Sequence, residues 1–315
     1  NQIERILWVI NNQMSTYNPK SEISAFNSEF AIPDINSTFL DPEQAKKKEN
    51  LQKEQPNHSS TISEHFSNVI EKSFHYYEVS DGMFDITVHP LYELWGFQGK
   101  SENLKIEPSK KEVDIVLDFV GMDKLKYSRG NQSLYKNSNQ ISIDVNAIAK
   151  GYAVDVISGY IEDQGYFNYF IDIGGEIRVS STIDRHWDIG IQEPSPERLG
   201  NAIEMVRLSN NSIATSGNYA NFIEYINSDA KRTHIINPKT GYPLEIKDGM
   251  IASVSIVAPL CVDADALATT LMLLSKEEGL RLIESLKDTE AYIIYLESDS
   301  LYVEQSSEFK KYIYK

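Results

Sequence analysis

Apolar residues Ile3, Ile6, Leu7, Ile10 and Met14 recur at helical spacing, which predicts an amphipathic helix at the start of the chain. The polar run Ser15-Thr16-Tyr17-Asn18-Pro19 ends it in a loop. A second helix places Ile62, Phe66, Val69, Ile70, Phe74 and Tyr77 on one face, and Gly82 stops it. From the middle of the chain the pattern shifts to short β-like runs between turn residues. These are Ile141-Ser142-Ile143, 169–173, 187–191, 203–208, 222–226 and 251–257. Helices are expected at 146–163, 264–274 and 277–286.

Strands outnumber crossover helices, so this order predicts an α+β fold, a mainly antiparallel sheet with packed helices, over a regular βαβ array. Neither a short-period repeat nor a clean linker is visible, which makes 1–315 one unit. Within it, 41–60 reads as a polar, exposed insertion: Ala45 and Leu51 are its clear apolar residues, and Lys46-Lys47-Lys48 lies between them.

Charge narrows the partners. The chain carries 46 acidic and 30 basic side chains, a formal net charge of −16. Neutralising phosphates takes a surplus of Lys and Arg, so no nucleic-acid partner is expected. The most apolar stretch, 251–274, is broken by Asp263 and Asp265, whereas a spanning helix needs about 20 apolar residues. No transmembrane segment is therefore expected. Cys261 is the one cysteine, which excludes an intramolecular disulfide and any CxxC site. The chain opens at Asn1 with no basic-then-apolar leader and reads as a processed or trimmed product.

Candidate chemistry begins with Asp265 and Thr269, four apart and so on one helical face. Carboxylate and hydroxyl oxygens suit a hard cation such as Mg²⁺, which takes one or two protein carboxylates and keeps sites for water and phosphate. The plainer alternative is that Asp263 or Asp265 caps the helix and Thr269 packs sideways. The stretch Asp144 to Tyr152 stands between an expected strand and a helix, so free amides and Lys150 could cradle an anion there; a capped surface helix with an ordinary lysine reads equally well. It is no Walker loop, and Gly174-Gly175 is no dinucleotide fingerprint but reads as a hairpin turn. The six histidines show no zinc spacing. His234 is distinguished only by preceding a Pro/Gly turn at 235–241, where a side chain can face a cleft. Residues 81–91, with Leu94-Trp95-Gly96-Phe97 after them, join a helix to an apparent strand and could line a slot for a flat ligand or simply fill a core.

In order, these segments resemble the ApbE family, the FAD:protein FMN transferases. The likeness rests on Met14-Ser15-Thr16-Tyr17 with Ser21-Glu22-Ile23-Ser24 and Asn27, on Gly82 to Leu91 with Leu94-Trp95-Gly96-Phe97, and on Asp144 to Asp155. It continues through Asp172-Ile173-Gly174-Gly175, Thr215 to Tyr219, His234 to Pro243 and Asp263 to Leu271. The resemblance implies a T-fold-like α+β architecture holding FAD as substrate, with Mg²⁺ at its pyrophosphate. It implies transfer of FMN from FAD onto a Thr or Ser hydroxyl of an acceptor flavoprotein, with release of AMP. Alternatives within the same pocket are Mg²⁺-dependent FAD hydrolysis to FMN and AMP, or FAD binding without turnover. By the matched motifs Asp265, Thr269 and the backbone carbonyl of Ala147 would hold the metal. Met14, Met83, Phe84, Asp85, Asp144 and Lys150 would contact FAD, and His234 would activate the incoming hydroxyl. Many relatives are exported and lipid-anchored, so the resemblance also implies a periplasmic protein whose precursor carries the anchor.

Overall fold

The computed structural model describes residues 1–28, 58–97, 105–194, 200–218 and 222–314. Its centre is a six-stranded antiparallel sheet in the order Ser300–Gln305, Glu290–Glu297, Ile251–Ala258, Ser212–Gly217, Glu176–Ser180, Tyr169–Ile173. Every residue of Ile251–Ala258 is buried, because both faces of the sheet are covered. On one face Val254, Ile256 and Ala258 pack against helices Gln2–Met14, Glu64–Val79 and Cys261–Met272. On the other, Val257 joins Ile189, Ile191, Val206 and Leu208 of the Trp187–Gln192 and Ala202–Leu208 hairpin. Alternation along each strand thus assigns neighbours to opposite layers. The fold is the α+β arrangement that the run of strands predicts.

A smaller layer carries the three-stranded sheet of Phe222–Tyr225, Ser228–Ile236 and Pro243–Glu245. Trp95 anchors it, donating from its ring nitrogen to the Gly241 carbonyl at 2.8 Å while its own carbonyl accepts from the Tyr225 hydroxyl at 2.8 Å. At 1 % exposure Trp95 is core. The slot considered for Leu94-Trp95-Gly96-Phe97 therefore does not include it.

Two expected strands are absent. Ile141-Ser142-Ile143 is buried but unpaired with any strand. Its backbone bonds instead to a side chain: Ile143 N–H donates to Asn27 Oδ1, and Asn27 Nδ2 donates to the Ile143 carbonyl, both at 2.8 Å. The segment 81–91, expected to join a helix to an apparent strand, instead holds a 3₁₀ turn, Ile86–Val88, running into helix His89–Leu94. Asp85 caps that turn and Pro90 sits at the start of the helix, where its missing N–H costs nothing. The insertion expected at 41–60 lies mostly outside the described residues; its last residues open a strand, His58–Thr61, paired with Ser133–Lys136.

Candidate active site

Asp265 sits in the second turn of Cys261–Met272 and is 4 % exposed. It does not cap its own helix, and neither does Asp263, which pairs with Lys72 at 2.7 Å. The helix start is capped from outside: Asp155, on helix Ala149–Asp163, accepts the N–H groups of Cys261 at 3.0 Å and Val262 at 2.8 Å. Asp265 returns the favour, accepting the Gly151 N–H at 2.9 Å. Gly151 is the third residue of its helix, so that amide has no partner in the helix's own ladder. Two neighbouring helices therefore cap each other's first turns. Burial, reinforced by the charge of Glu176, pushes the Asp265 carboxyl up to about 7, against the pull of Lys150 and the Gly151 amide. Thr269, one turn on, is half-buried with its hydroxyl 3.0 Å from that of Ser216.

Lys150 forms an ion pair with Glu176. The helix it belongs to has no cap of its own at Ile148 but starts packed against a neighbouring helix, and its lysine is ion-paired, so a capped surface helix with an ordinary lysine does not describe this segment. Ala147 lies in the turn just before, and nothing among the described residues donates to its carbonyl. Asp144 is held by its own loop, Oδ1 accepting the Asn146 N–H at 2.6 Å and Oδ2 the Asn146 amide at 2.9 Å. The Asp144 N–H donates to the Ile86 carbonyl at 2.7 Å, which ties this loop to the 82–91 motif.

Met14, Met83 and Phe84 are buried at 3 %, 9 % and 3 % exposure, and Phe84 meets Tyr76 edge-on. Met14 and Phe84 belong to the main hydrophobic core, and none of the three presents an exposed surface. Asp85 accepts from the Thr87 N–H at 2.7 Å, the Thr87 hydroxyl and the Met122 N–H at 3.2 Å. Burial outweighs these bonds and raises its carboxyl from 3.8 to about 6. The folded state therefore holds this proton more tightly than the unfolded chain, so its stabilising effect is complete below 3.8 and lost as pH rises through about 6. Asp85→Asn should flatten the fall in melting temperature across that window; an unchanged slope would assign the dependence to other groups.

His234 lies on Ser228–Ile236, half-buried between the buried Thr233 and Ile235. The turn that follows reaches a cleft of about 400 Å³ lined by Gly82, Asp85, Gly121, Pro238 and Lys239 among others. Lys239 pairs there with Asp81 at 2.7 Å. The 82–85 and 238–239 motifs thus share one cleft, whereas Lys150, Glu176, Asp265, Thr269 and Ser216 form a linked cluster that does not line it.

Glu176 joins this cluster without a sequence signal of its own, while Asp155 and Ser216 lie in segments that carry the resemblance, which gives them no role. Glu176 and Arg178 alternate with Ile177 and Val179, a pattern that reads as a solvent face, yet a helix covers it.

The oxygen donors are of the type a small hard cation takes. Asp265 Oδ1 accepts no hydrogen bond among the described residues, the Ala147 carbonyl is undonated, and Thr269 offers a hydroxyl. No three His, Cys, Asp or Glu side chains converge among the described residues.

The strand-rich α+β fold thus sets a buried carboxylate beside a paired lysine at the facing starts of two helices. The ApbE family model matches residues 1–293, and the chain belongs to the ApbE family. It is 31% identical over 317 residues to the FAD:protein FMN transferase of Vibrio cholerae, covering 100% of this chain and 84% of the relative. Identity to the enzyme of the same name from Haemophilus influenzae is also 31%, over 98% of this chain and 82% of that one. Among solved structures, the flavin transferase ApbE from Vibrio cholerae superposes with a TM-score of 0.78 at 30% identity, covering 99% of this chain and 89% of that one. The ApbE protein from Thermotoga maritima gives 0.78 at 25% identity, over 100% and 92%.

Proposed function

We propose that this chain transfers FMN from FAD onto a Thr or Ser hydroxyl of an acceptor flavoprotein through a phosphoester bond, releasing AMP. It is an enzyme of the FAD:protein FMN transferase class, the name its relatives carry. The observation that carries the reading is the cluster in which Asp265, buried and unshared at Oδ1, adjoins the Lys150–Glu176 pair. In this reading Asp265, Thr269 and the Ala147 carbonyl hold Mg²⁺, which supplies a Lewis acid at the pyrophosphate when bound. Lys150 offers an ammonium to the same phosphates, offsetting the repulsion that a diphosphate meets in a protein of charge −16. Met14, Met83, Phe84, Asp85 and Asp144 shape the pocket for the rest of FAD. His234 accepts the hydroxyl proton as the acceptor oxygen attacks the FMN phosphorus and the bond to the AMP phosphate breaks.

Incubation with FAD, Mg²⁺ and an acceptor domain should raise the acceptor's mass by one FMN phosphoryl unit and release AMP in equal amount. Free FMN with an unmodified acceptor would make the protein an FAD pyrophosphatase, and intact FAD would make it a binding protein. His234→Ala should still bind FAD and transfer slowly; lost binding with an unchanged single-turnover rate would make His234 a binding residue instead. The same reading puts the protein outside the cytoplasm, with a lipid anchor on the precursor, which fractionation of cells expressing the full gene tests. No helix among the described residues is long and apolar enough to cross a membrane.

A further inference from the structure

We propose that Glu176 is the positioning residue for Lys150, holding its ammonium where a phosphate of the dinucleotide meets it; this rests on the phosphate role given to Lys150 above. Glu176 is the first residue of a return strand. The turn before it, Gly174-Gly175, has φ of +67° and +101°, the left-handed pair that a tight two-residue hairpin uses. Asp172 Oδ1 accepts the Gly175 N–H at 2.9 Å and closes that turn. Residues 176 and 178 then share one face of the strand, and both reach helix Ala149–Asp163. Glu176 pairs with Lys150, and Arg178 with Asp155 at 2.6 Å. Two residues of strand advance about 6.6 Å and five of helix about 7.5 Å, so the two pairs fall in register. Their charges are reversed, so a slip setting Lys150 against Arg178 would bring like charges together.

The Arg178–Asp155 pair already docks strand on helix; Glu176 adds little that stability requires. Its side chain is 3 % exposed, its Oε2 accepts no hydrogen bond among the described residues, and its charge opposes that of buried Asp265. A half-satisfied buried carboxylate next to another is destabilising unless something is gained. What is gained is a fixed cation. Lys150 is 48 % exposed, and an ammonium has three donors, of which Glu176 Oε1 takes one. An untethered lysine would spread its charge over many rotamers and lose that freedom only on binding. The tether removes the entropy beforehand and leaves the remaining donors for the ligand.

Glu176→Gln keeps shape and a hydrogen-bond acceptor but removes the charge. Its kcat/KM for FAD should fall about tenfold, while its melting temperature holds or rises because a buried carboxylate is gone. Lys150→Ala should fall about a hundredfold, and the double variant no further than about twofold below it, since Glu176 acts only through Lys150. Wild-type kcat/KM in Glu176→Gln, beside a large loss in Lys150→Ala, would overturn the inference and spare the phosphate role. The same tenfold loss in both backgrounds, or a loss tracking a lowered melting temperature, would make Glu176 an independent or merely structural residue. No loss in Lys150→Ala would remove the phosphate role itself, and the inference with it.

Discussion

Asp265→Asn should give a folded protein whose flavin transfer is at least about a thousandfold slower, the scale expected when charge stabilisation at the reacting phosphates is lost. Asparagine keeps an acceptor for the Gly151 N–H, so the mutual capping of the two helices survives. What it removes is the negative charge. Burial and the neighbouring Glu176 hold the Asp265 carboxyl at about 7, so near neutral pH the metal-free site is only partly ionised. A divalent cation would favour the charged form, and its binding would stabilise the folded state. The parent should therefore show a magnesium-dependent rise in melting temperature that Asp265→Asn lacks. Without magnesium the variant should melt no lower than the parent, because a buried amide is easier to accommodate than a buried charge. Asp265→Ala should lose activity equally but melt lower, since it leaves the Gly151 amide without an acceptor. Near-normal transfer, or an undiminished magnesium shift in Asp265→Asn, would remove this residue from the metal site.

Much of the fold is legible where period alone decides it. The amphipathic stripe of Ile10 and Met14, the stop at Gly82 and the mostly apolar strand at 251–257 each appear at their expected places. What fails is local propensity overruled from a distance. Ile141-Ser142-Ile143 has the alternation of a strand, but its backbone partner is the carboxamide of Asn27, 116 residues away in sequence, and no window around either shows it. Ile86-Thr87-Val88 is β-branched throughout, yet the Asp85 side chain below it and Pro90 above it turn the chain into a helix start.

The candidate site is legible for a different reason. Asp265 and Thr269 stand four apart on one helix, so spacing by itself puts both oxygens on one side. Lys150 could be singled out as a charge at a helix start, but not its partner. Glu176 lies beyond a hairpin and a layer of helix, and only the sheet order brings it to Lys150. Asp155 is hidden similarly: a mid-helix acid reads as surface until the helix whose amides it caps is docked against it.

That docking depends on Gly151, and Gly151→Ala should be the most damaging small substitution in the site. By helix propensity alone alanine would be favoured by about 1 kcal/mol. Here the added Cβ would lie 2.4 Å from the Cys261 carbonyl oxygen, 2.7 Å from its carbon and 2.8 Å from the Asp265 Cβ. Backbone atoms cannot step aside as a flexible side chain can, so the helices must part. Parting them stretches the Gly151–Asp265 bond and both bonds from Cys261 and Val262 to Asp155, and moves the Asp265 carboxylate itself. We expect a loss of about 3 kcal/mol from overpacking and weakened capping. Transfer should fall further than that loss explains when assayed where the variant remains folded. Gly159 in the same helix supplies the control, for its added Cβ would meet nothing within 4 Å. Gly159→Ala should be neutral or up to about 1 kcal/mol more stable in urea denaturation. Were Gly151→Ala as stable as Gly159→Ala, with transfer intact, the close helix contact could not be what sets Asp265 in place.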